Sequence, residues 1–196
     1  MTRTFTAEGW QEDVRVGGYQ YYLFTETSSL VIFGGSIQAE ILCVGGGASG
    51  GYNGGGGGGA GAIEGAGPGY WASQSLSVGS YSVTIGAGGP DVTAPASVAG
   101  DTIFVGTSTI TAKGGGHGDS QSGGSAGNGG SGGGGSNAAG GTASGSNTFS
   151  GSAGMYSSPW LASGGGGGAT AAGGATAANQ PGTGGEGLAL TTIDPN

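Results

Sequence analysis

The sequence predicts an all-β protein. A small N-terminal β-sandwich with jelly-roll-like strands continues into a layer of packed polyglycine-II helices, with essentially no α-helix. Two observations predict this fold. The chain has 196 residues and 55 glycines, fifty of which follow residue 44, whereas twelve of the fifteen aromatic residues precede Lys113. Short β-type segments fill the N-terminal part, and no window joins a helical 3.6-residue pattern to capping residues.

The predicted strands are rich in β-branched and aromatic residues and end at glycine or at polar turn residues. They span residues 2–6, 18–25, 29–33, 37–44, 80–85, 101–105 and 108–113. A strand-like segment enters polyglycine at Val44-Gly45, at Lys113-Gly114 and, after Trp160-Leu161-Ala162, at Ser163-Gly164. This loose repeat indicates that strands in one layer continue into glycine segments of a second layer.

The chain divides into two predicted regions. Residues 1–113 form a β-rich domain with a polyglycine insertion at 45–69, and residues 114–196 form a glycine-rich region packed on it as one compact unit. The second region cannot build an ordinary apolar core, because its large apolar side chains are few. They are Phe149, Met155, Tyr156, Trp160, Leu161, Leu188, Leu190 and Ile193. Backbone hydrogen bonds must therefore hold this region together, or it is disordered.

Glycine permits an ordered arrangement that other residues prevent. The polyproline-II conformation has three residues per turn and no internal hydrogen bonds, so its N–H and C=O groups can bond neighbouring helices. Only small side chains allow those helices to approach closely. A three-residue register of glycine occurs at Gly115 and Gly118 and in two later segments. The later positions are Gly124, Gly127, Gly130, Gly133, Gly184 and Gly187. We therefore expect residues 114–190 to be ordered, and 149–162 to form an exposed turn.

The composition argues against several functions. The net charge is −8 and the chain has three Lys and Arg in total, so we expect neither nucleic-acid binding nor attraction to an anionic membrane surface. One cysteine and one histidine cannot form a zinc site, and we expect no metal or cofactor. No apolar run approaches the ~18 residues of a membrane span, so we expect no membrane insertion.

Three features resemble catalytic or cofactor motifs but have simpler interpretations. Gly45-x-Gly47-x-x-Gly50 follows an apolar strand, yet a dinucleotide site needs a helix after the glycines, and polyglycine follows here. The side-chain types of a hydrolase triad occur together in His117, Asp119 and Ser120. Three residues so close in a glycine-rich segment do not by themselves form a rigid triad. Cys43 is most simply a small buried apolar residue. We expect no enzymatic activity.

Four segments carry a family resemblance. Ala39-Glu-Ile-Leu-Cys-Val-Gly-Gly-Gly, followed by the glycines of 54–62, resembles the glycine-rich domain of tailed-phage tail and tail-fibre proteins. Val78-Gly-Ser-Tyr-Ser-Val-Thr-Ile-Gly-Ala-Gly-Gly, Ile110-Thr-Ala-Lys-Gly-Gly-Gly and Gly184-Gly-Glu-Gly-Leu-Ala-Leu-Thr-Thr-Ile are similar to further parts of it. The resemblance covers residues 37–193. It implies a virion part like the adhesins at T-even-type fibre tips, which are packed polyglycine-II helices whose distal loops touch the host.

The resemblance implies a non-enzymatic structural protein of the phage tail or tail fibre, acting as a tip adhesin. Its partners would be other virion proteins and a host surface glycan or outer-membrane protein, and it would be a trimer or another homo-oligomer, or a monomeric tip. It would be made in the host cytoplasm and reside in the virion. One alternative is a head decoration or fibre protein that stabilises the virion. Another is an ice-binding protein using residues 169–178, although only Thr170 and Thr176 supply threonine there.

Aromatic and methionine residues in glycine-flanked loops are the candidate receptor contacts, since exposed aromatic side chains on loops often anchor binding. The alternative is that each one closes an end of the glycine layer. The candidates are Tyr52, Tyr70, Trp71, Phe149, Met155, Tyr156 and Trp160.

Overall fold

The computed structural model describes residues 5–7, 10–16, 19–65, 72–90, 97–121, 124–157 and 160–189. These residues form strands and extended segments, and no helix occurs among them, which confirms the all-β prediction. The strands are β1 (Phe5–Ala7), β2 (Trp10–Val16), β3 (Tyr19–Phe24), β4 (Ser28–Ile32), β5 (Ile37–Ile41), β6 (Cys43–Val44), β7 (Ile63–Glu64), β8 (Ala72–Leu76), β9 (Gly79–Thr84), β10 (Thr102–Val105), β11 (Thr109–Ala112), β12 (Met155–Ser157) and β13 (Trp160–Ala162).

The larger sheet has the strand order β1-β4-β9-β10-β11, and every pair in it is antiparallel. Four further antiparallel pairs, β2–β3, β5–β8, β6–β7 and β12–β13, lie outside it. The apolar core joins the large sheet to β5, β6 and β8. Its buried members are Ile32, Cys43, Leu76, Val83, Phe104 and Ala112.

Four strands escape prediction from the sequence: β2, β7, β8 and β12. In β8 the buried positions are Ala72, Gln74 and Leu76. Because Gln74 is polar, the sequence of β8 does not show the alternation of apolar and polar residues that predicts a strand. The buried Gln74 amide has its hydrogen-bond partners, since Nε2 donates to the Ser108 carbonyl at 3.0 Å and Oε1 accepts from Thr107 Oγ1 at 3.0 Å. The predicted strand 37–44 is also divided, because β5 pairs with β8 whereas β6 pairs with β7.

The glycine-rich residues form extended rods joined side by side by backbone hydrogen bonds. In chain order we number them rod 1 (45–51), rod 2 (55–62), rod 3 (113–119), rod 4 (124–130), rod 5 (131–136), rod 6 (138–144), rod 7 (148–154), rod 8 (163–169), rod 9 (170–176) and rod 10 (181–187). Two shorter segments, 86–90 and 97–101, flank rod 1. Rod 2, from the first predicted region, bonds to rods 3, 5 and 8 of the second.

The bonds between rods repeat every third residue. The N–H groups of Gly45, Ala48 and Gly51 in rod 1 donate to rod 2 carbonyls that are themselves three residues apart, and these two rods are antiparallel. The N–H groups of Gly57 and Ala60 in rod 2 donate to carbonyls three apart in rod 8, which runs parallel. Three residues per turn is the repeat of the polyproline-II helix. The rods therefore pack as polyglycine-II helices, in both relative directions.

Rod 5 is entirely buried and is bonded on all sides. Ser131 and Gly134 donate to rod 2 and accept from rod 3, while Gly132 and Gly135 donate to rod 7 and accept from rod 8. Gly133 donates to rod 4 and accepts from rod 6. The N···O distances are 2.7–3.0 Å. Each of the three faces of the helix thus forms hydrogen bonds with two neighbouring rods. Backbone hydrogen bonds hold rod 5 in place, whereas an ordinary core is held by packed apolar side chains.

The predicted glycine register is found in part. Gly115 and Gly118 do share a face, because both donate to rod 1. Gly124 to Gly133 do not form one helix, because the chain reverses between rod 4 and rod 5. In rod 10 the bonded donors are Gly182 and Gly185, each two positions before the predicted glycines 184 and 187.

Serine replaces glycine in the lattice where its hydroxyl can bond a neighbouring rod. Ser131 and Ser136 are fully buried. Ser131 Oγ donates to the Gly168 carbonyl at 2.8 Å, and Ser136 Oγ donates to the Gly54 carbonyl at 3.1 Å. These hydroxyls join rod 5 to rod 8 and to the turn that follows rod 1.

Candidate functional site

The rods have two ends, and the turns at one end form a common surface. Rods 1, 3, 5, 7 and 9 lead away from the large sheet, and rods 2, 4, 6, 8 and 10 return towards it. We call the end far from the sheet the tip end. Its described turns are residues 52–55, 120–121, 136–138, the β12–β13 hairpin and 177–180.

Hydrogen bonds fix these turns to one another. The Tyr52 N–H donates to Ser120 Oγ at 3.1 Å, and the Gln121 N–H donates to the Tyr52 carbonyl at 3.4 Å. The Gly54 carbonyl accepts from the hydroxyls of Ser136 and Ser163. Three turns, and the first residue of rod 8 after the hairpin, are therefore joined, directly or through Gly54, into one surface.

The turn at 52–54 is built by residues that tolerate positive φ. Asn53 has a φ of 50° and Gly54 a φ of 71°. Asparagine and glycine adopt this left-handed region at low cost, so the chain reverses sharply here. A Cβ on Gly54 would also lie 2.9 Å from Leu161 Cδ2 of the hairpin. The turn thus packs against the hairpin and leaves Tyr52 projecting, with 54% of its surface exposed.

The hairpin contains three of the predicted contact residues. Met155 pairs with Ala162, Tyr156 with Leu161, and Ser157 with Trp160. Met155 is 47% exposed, and Ala162 is buried against the lattice. Of the predicted exposed turn at 149–162, residues 149–154 instead form most of rod 7, and the two-stranded hairpin follows them. Of Tyr156 and Trp160 the structure describes the backbone, and Tyr70 and Trp71 lie outside the described residues.

Phe149 lies at the opposite end of the lattice. It is near the start of rod 7, where its carbonyl accepts from the Gly132 N–H, whereas Met155 follows the other end of the same rod. Six residues of polyproline-II helix span roughly 19 Å. Phe149 is 38% exposed. The structure thus brings Tyr52 together with the hairpin and does not bring Phe149 to the same surface.

The described tip turns contain no Asp, Glu, Lys, Arg or His. Four charged groups lie instead at the sheet end of the rods: Glu64, Asp101, Lys113 and Glu186. Asp119, at the tip end of rod 3, is 3% exposed and does not contribute to the surface. Its Oδ2 accepts from the Ser136 N–H at 3.2 Å, while Oδ1 has no hydrogen-bond partner among the described residues.

The residues that resembled a hydrolase triad bond in different directions. His117 Nδ1 lies 3.2 Å from the Gly118 carbonyl, Asp119 bonds the Ser136 amide, and Ser120 Oγ accepts from Tyr52. The glycine motif at 45–50 belongs to rod 1, and the N–H groups of Gly45 and Ala48 are used by rod 2. The polar groups of both motifs are therefore used in hydrogen bonds within the lattice and its turns.

Cys43 is the free thiol of the described chain, and it is buried in the core. Burial, and to a smaller extent the Glu64 carboxylate, raises the pKa of the Cys43 thiol to about 11. A thiol with this pKa is almost fully protonated at neutral pH and is a poor nucleophile.

Sequence reasoning missed the polar side chains of the tip surface. Asn53, Gln121, Asn137, Asn179 and Gln180 are all exposed there. Each lies in a short segment between glycine- or alanine-rich runs, and that position was an available signal. No three His, Cys, Asp or Glu side chains of the described chain converge on a metal-binding geometry. Within the same residues there is no helix able to span a bilayer.

The family model described as a glycine-rich domain matches residues 24–194. The match includes every rod and all the tip turns. No curated protein and no solved structure matches the chain significantly.

Proposed function

The chain belongs to the glycine-rich domain family, and from this premise we propose that it is a non-enzymatic structural protein of a tailed-phage virion. In this proposal it sits on the tail or tail fibre, and its tip end attaches to the host cell surface. The observation that carries the proposal is the convergence of the tip turns, with exposed Tyr52 and Met155, at one end of the lattice.

The proposed mechanism is binding without chemistry. A loop that is held rigid before binding loses less conformational entropy when it docks, so its contacts contribute more fully to affinity. Here the turns are short, and the rods beneath them are bonded on several sides. The lattice would act as the rigid support, and the turns would supply the contacts. Other virion proteins would bind elsewhere on the chain.

The virion assignment is tested by labelling. An antibody raised against this chain, combined with mass spectrometry of purified virions, should detect it on the tail or fibre of the phage that encodes it. Label on the capsid would favour a head-decoration protein instead. Detection in infected-cell extract alone, with purified virions unlabelled, would refute the proposal.

The adsorption role is tested by comparing the two ends of the lattice. Truncating an aromatic hot spot typically costs ~2 kcal/mol or more, which is about a 30-fold loss of affinity. We expect the triple variant Tyr52→Ala, Tyr156→Ala and Trp160→Ala to lose host-cell binding by at least that factor. Phe149→Ala, at the opposite end, is the matched control and should bind normally. Equal binding by both variants, with both folded, would place recognition outside the tip end.

A further inference from the structure

The tip surface offers hydrogen-bonding groups that the fold itself does not use. The side-chain amides of Asn53, Gln121, Asn137, Asn179 and Gln180 are exposed and make no hydrogen bond within the described part of the chain. Three amides elsewhere are bonded internally. Gln74 and Asn147 donate to backbone carbonyls, and Asn128 accepts from the Thr142 N–H at 2.8 Å. Among the side chains that the structure describes, Gln38, exposed on β5, is a free amide away from the tip surface.

The free amides are distributed over the turns. Asn53 belongs to the first turn, Gln121 to the second, Asn137 to the third, and Asn179 and Gln180 to the last. Bonds through the Gly54 carbonyl and the Tyr52 backbone join the first three turns. The last turn adjoins them because the Gly182 N–H donates to the carbonyl of Ser163, whose hydroxyl bonds Gly54. One surface therefore combines several amides with the Tyr52 ring.

The electrostatics of this surface favour neutral ligands, because its described turns contain no charged side chain. An anionic ligand would find no Lys or Arg in the described turns and would meet a protein of net charge −8. A cationic ligand would find no exposed carboxylate there, because Asp119 is buried. Affinity must come from neutral hydrogen bonds and from apolar contact.

We infer that the ligand of the tip surface is an uncharged glycan; the inference rests on the proposed function and names its receptor class. An amide offers both a donor and an acceptor, which matches a sugar hydroxyl that is also both. The Tyr52 ring offers an apolar face to the C–H face of a sugar ring and a hydroxyl at its edge. A protein interface would instead have an apolar core enriched in aromatic residues, Met and Arg, whereas the described turns of this surface have five exposed amides and no Arg.

Whole-cell binding separates this inference from the function on which it rests. Host cells are treated either with periodate, which cleaves the vicinal diols of sugars, or with a protease, and the fluorescently labelled full chain is added. Binding that is lost after periodate and survives protease supports the glycan. Binding that survives periodate and is lost after protease overturns the glycan and leaves the proposed attachment intact. No binding to untreated cells overturns the proposed function as well.

A second experiment tests the amides directly. In affinity electrophoresis, neutral dextran, galactomannan and mannan should retard the chain, whereas dextran sulfate and polygalacturonate should not. The variant Gln121→Ala, Asn137→Ala, Gln180→Ala should bind the retarding polysaccharide at least tenfold more weakly, since each lost neutral hydrogen bond costs about 1 kcal/mol. These positions do not have the positive φ of Asn53 and Asn179, so alanine is compatible with the backbone.

Gln38→Ala removes an exposed amide far from the tip surface and should leave retardation unchanged. Equal weakening by Gln38→Ala and the triple variant would overturn the inference. Retardation by the anionic polymers alone would overturn it too. Failure of all these polymers, together with periodate-resistant attachment to cells, would also overturn it.

Discussion

Replacing Gly134 by alanine tests whether close approach of backbones holds the lattice together. A Cβ at this position would lie 2.0 Å from the carbonyl oxygen of Gly164, and real Cβ contacts begin near 3.0 Å. Rods 5 and 8 would have to separate by about 1 Å, since both atoms belong to buried backbone. Gly184, where a Cβ would meet no atom within 4 Å, provides the matched control.

The cost follows from the bonds between those two rods. Gly164 donates to Gly135 at 2.7 Å and Gly167 donates to Gly132 at 2.9 Å. Separation by about 1 Å takes both distances beyond hydrogen-bonding range. Each bond contributes about 1 kcal/mol and overpacking adds about 1–3 kcal/mol, whereas the stiffer unfolded chain returns about 0.4–1 kcal/mol. We expect Gly134→Ala to destabilise the protein by about 3 kcal/mol.

Scanning calorimetry measures the effect. For a chain of this length about 3 kcal/mol lowers Tm by roughly 6–12 °C, while Gly184→Ala should leave Tm unchanged or raise it slightly. Hydrogen exchange adds a local readout, because the amides of rod 5 should be among the slowest in the wild type and should exchange faster in Gly134→Ala. Equal Tm values for the two variants, or random-coil exchange of rod 5 in the wild type, would refute the lattice.

Four further predictions concern the core and the charge. Native Cys43 should react with Ellman's reagent at pH 8 only as fast as the protein unfolds; rapid stoichiometric reaction would contradict its burial. The pKa of the Cys43 thiol in the folded protein, about 11, exceeds the ordinary value of 9.0. The thiol therefore contributes fully to the free energy of unfolding below pH 9, and this contribution, up to about 2–3 kcal/mol, is lost between pH 9 and 11. Cys43→Ala should flatten that part of the pH profile of stability measured by urea denaturation. Gln74→Leu should lower the free energy of unfolding by about 2–4 kcal/mol, since it leaves the Ser108 backbone groups without their partner, whereas Gln38→Leu on β5 should change it little. Heparin and DNA columns should not retain the protein at physiological salt, given three Lys and Arg in total; firm retention would contradict that expectation.

The sequence predicts the glycine layer better than it predicts the layer's geometry. Glycine content and the small interrupting residues indicate packed helices, because only glycine allows backbones to approach so closely. The position of the reversal between rods 4 and 5 is not predictable in the same way. The local sequence around Gly130 is compatible with either a bend or a continuing helix. Which one forms depends on the distant carbonyls that accept the backbone hydrogen bonds. Ser131 and Ser136 show the same dependence, since their hydroxyls bond residues 37 and 82 positions away.

The site was predictable to a similar extent. Tyr52 and the hairpin interrupt glycine runs, and that interruption correctly marks turns. Phe149 also interrupts a glycine-rich stretch, but it enters a rod near the sheet end, and only the direction of rod 7 distinguishes the two cases. The strand β8 was missed because its buried Gln74 depends on a partner loop 34 residues away. Local patterns contain no information about partners at that separation.

The three-residue repeat of the rods constrains how the gene can change in length. Removing or adding one codon inside a rod would rotate every later residue by about 120°, so each would face the wrong neighbour. Removing or adding three codons restores the facing and changes the rod by about 9 Å. Viable insertions and deletions in related genes should therefore occur in steps of nine nucleotides within rods, and in any number of codons within the turns. The length of the lattice and the shape of its tip can then evolve separately.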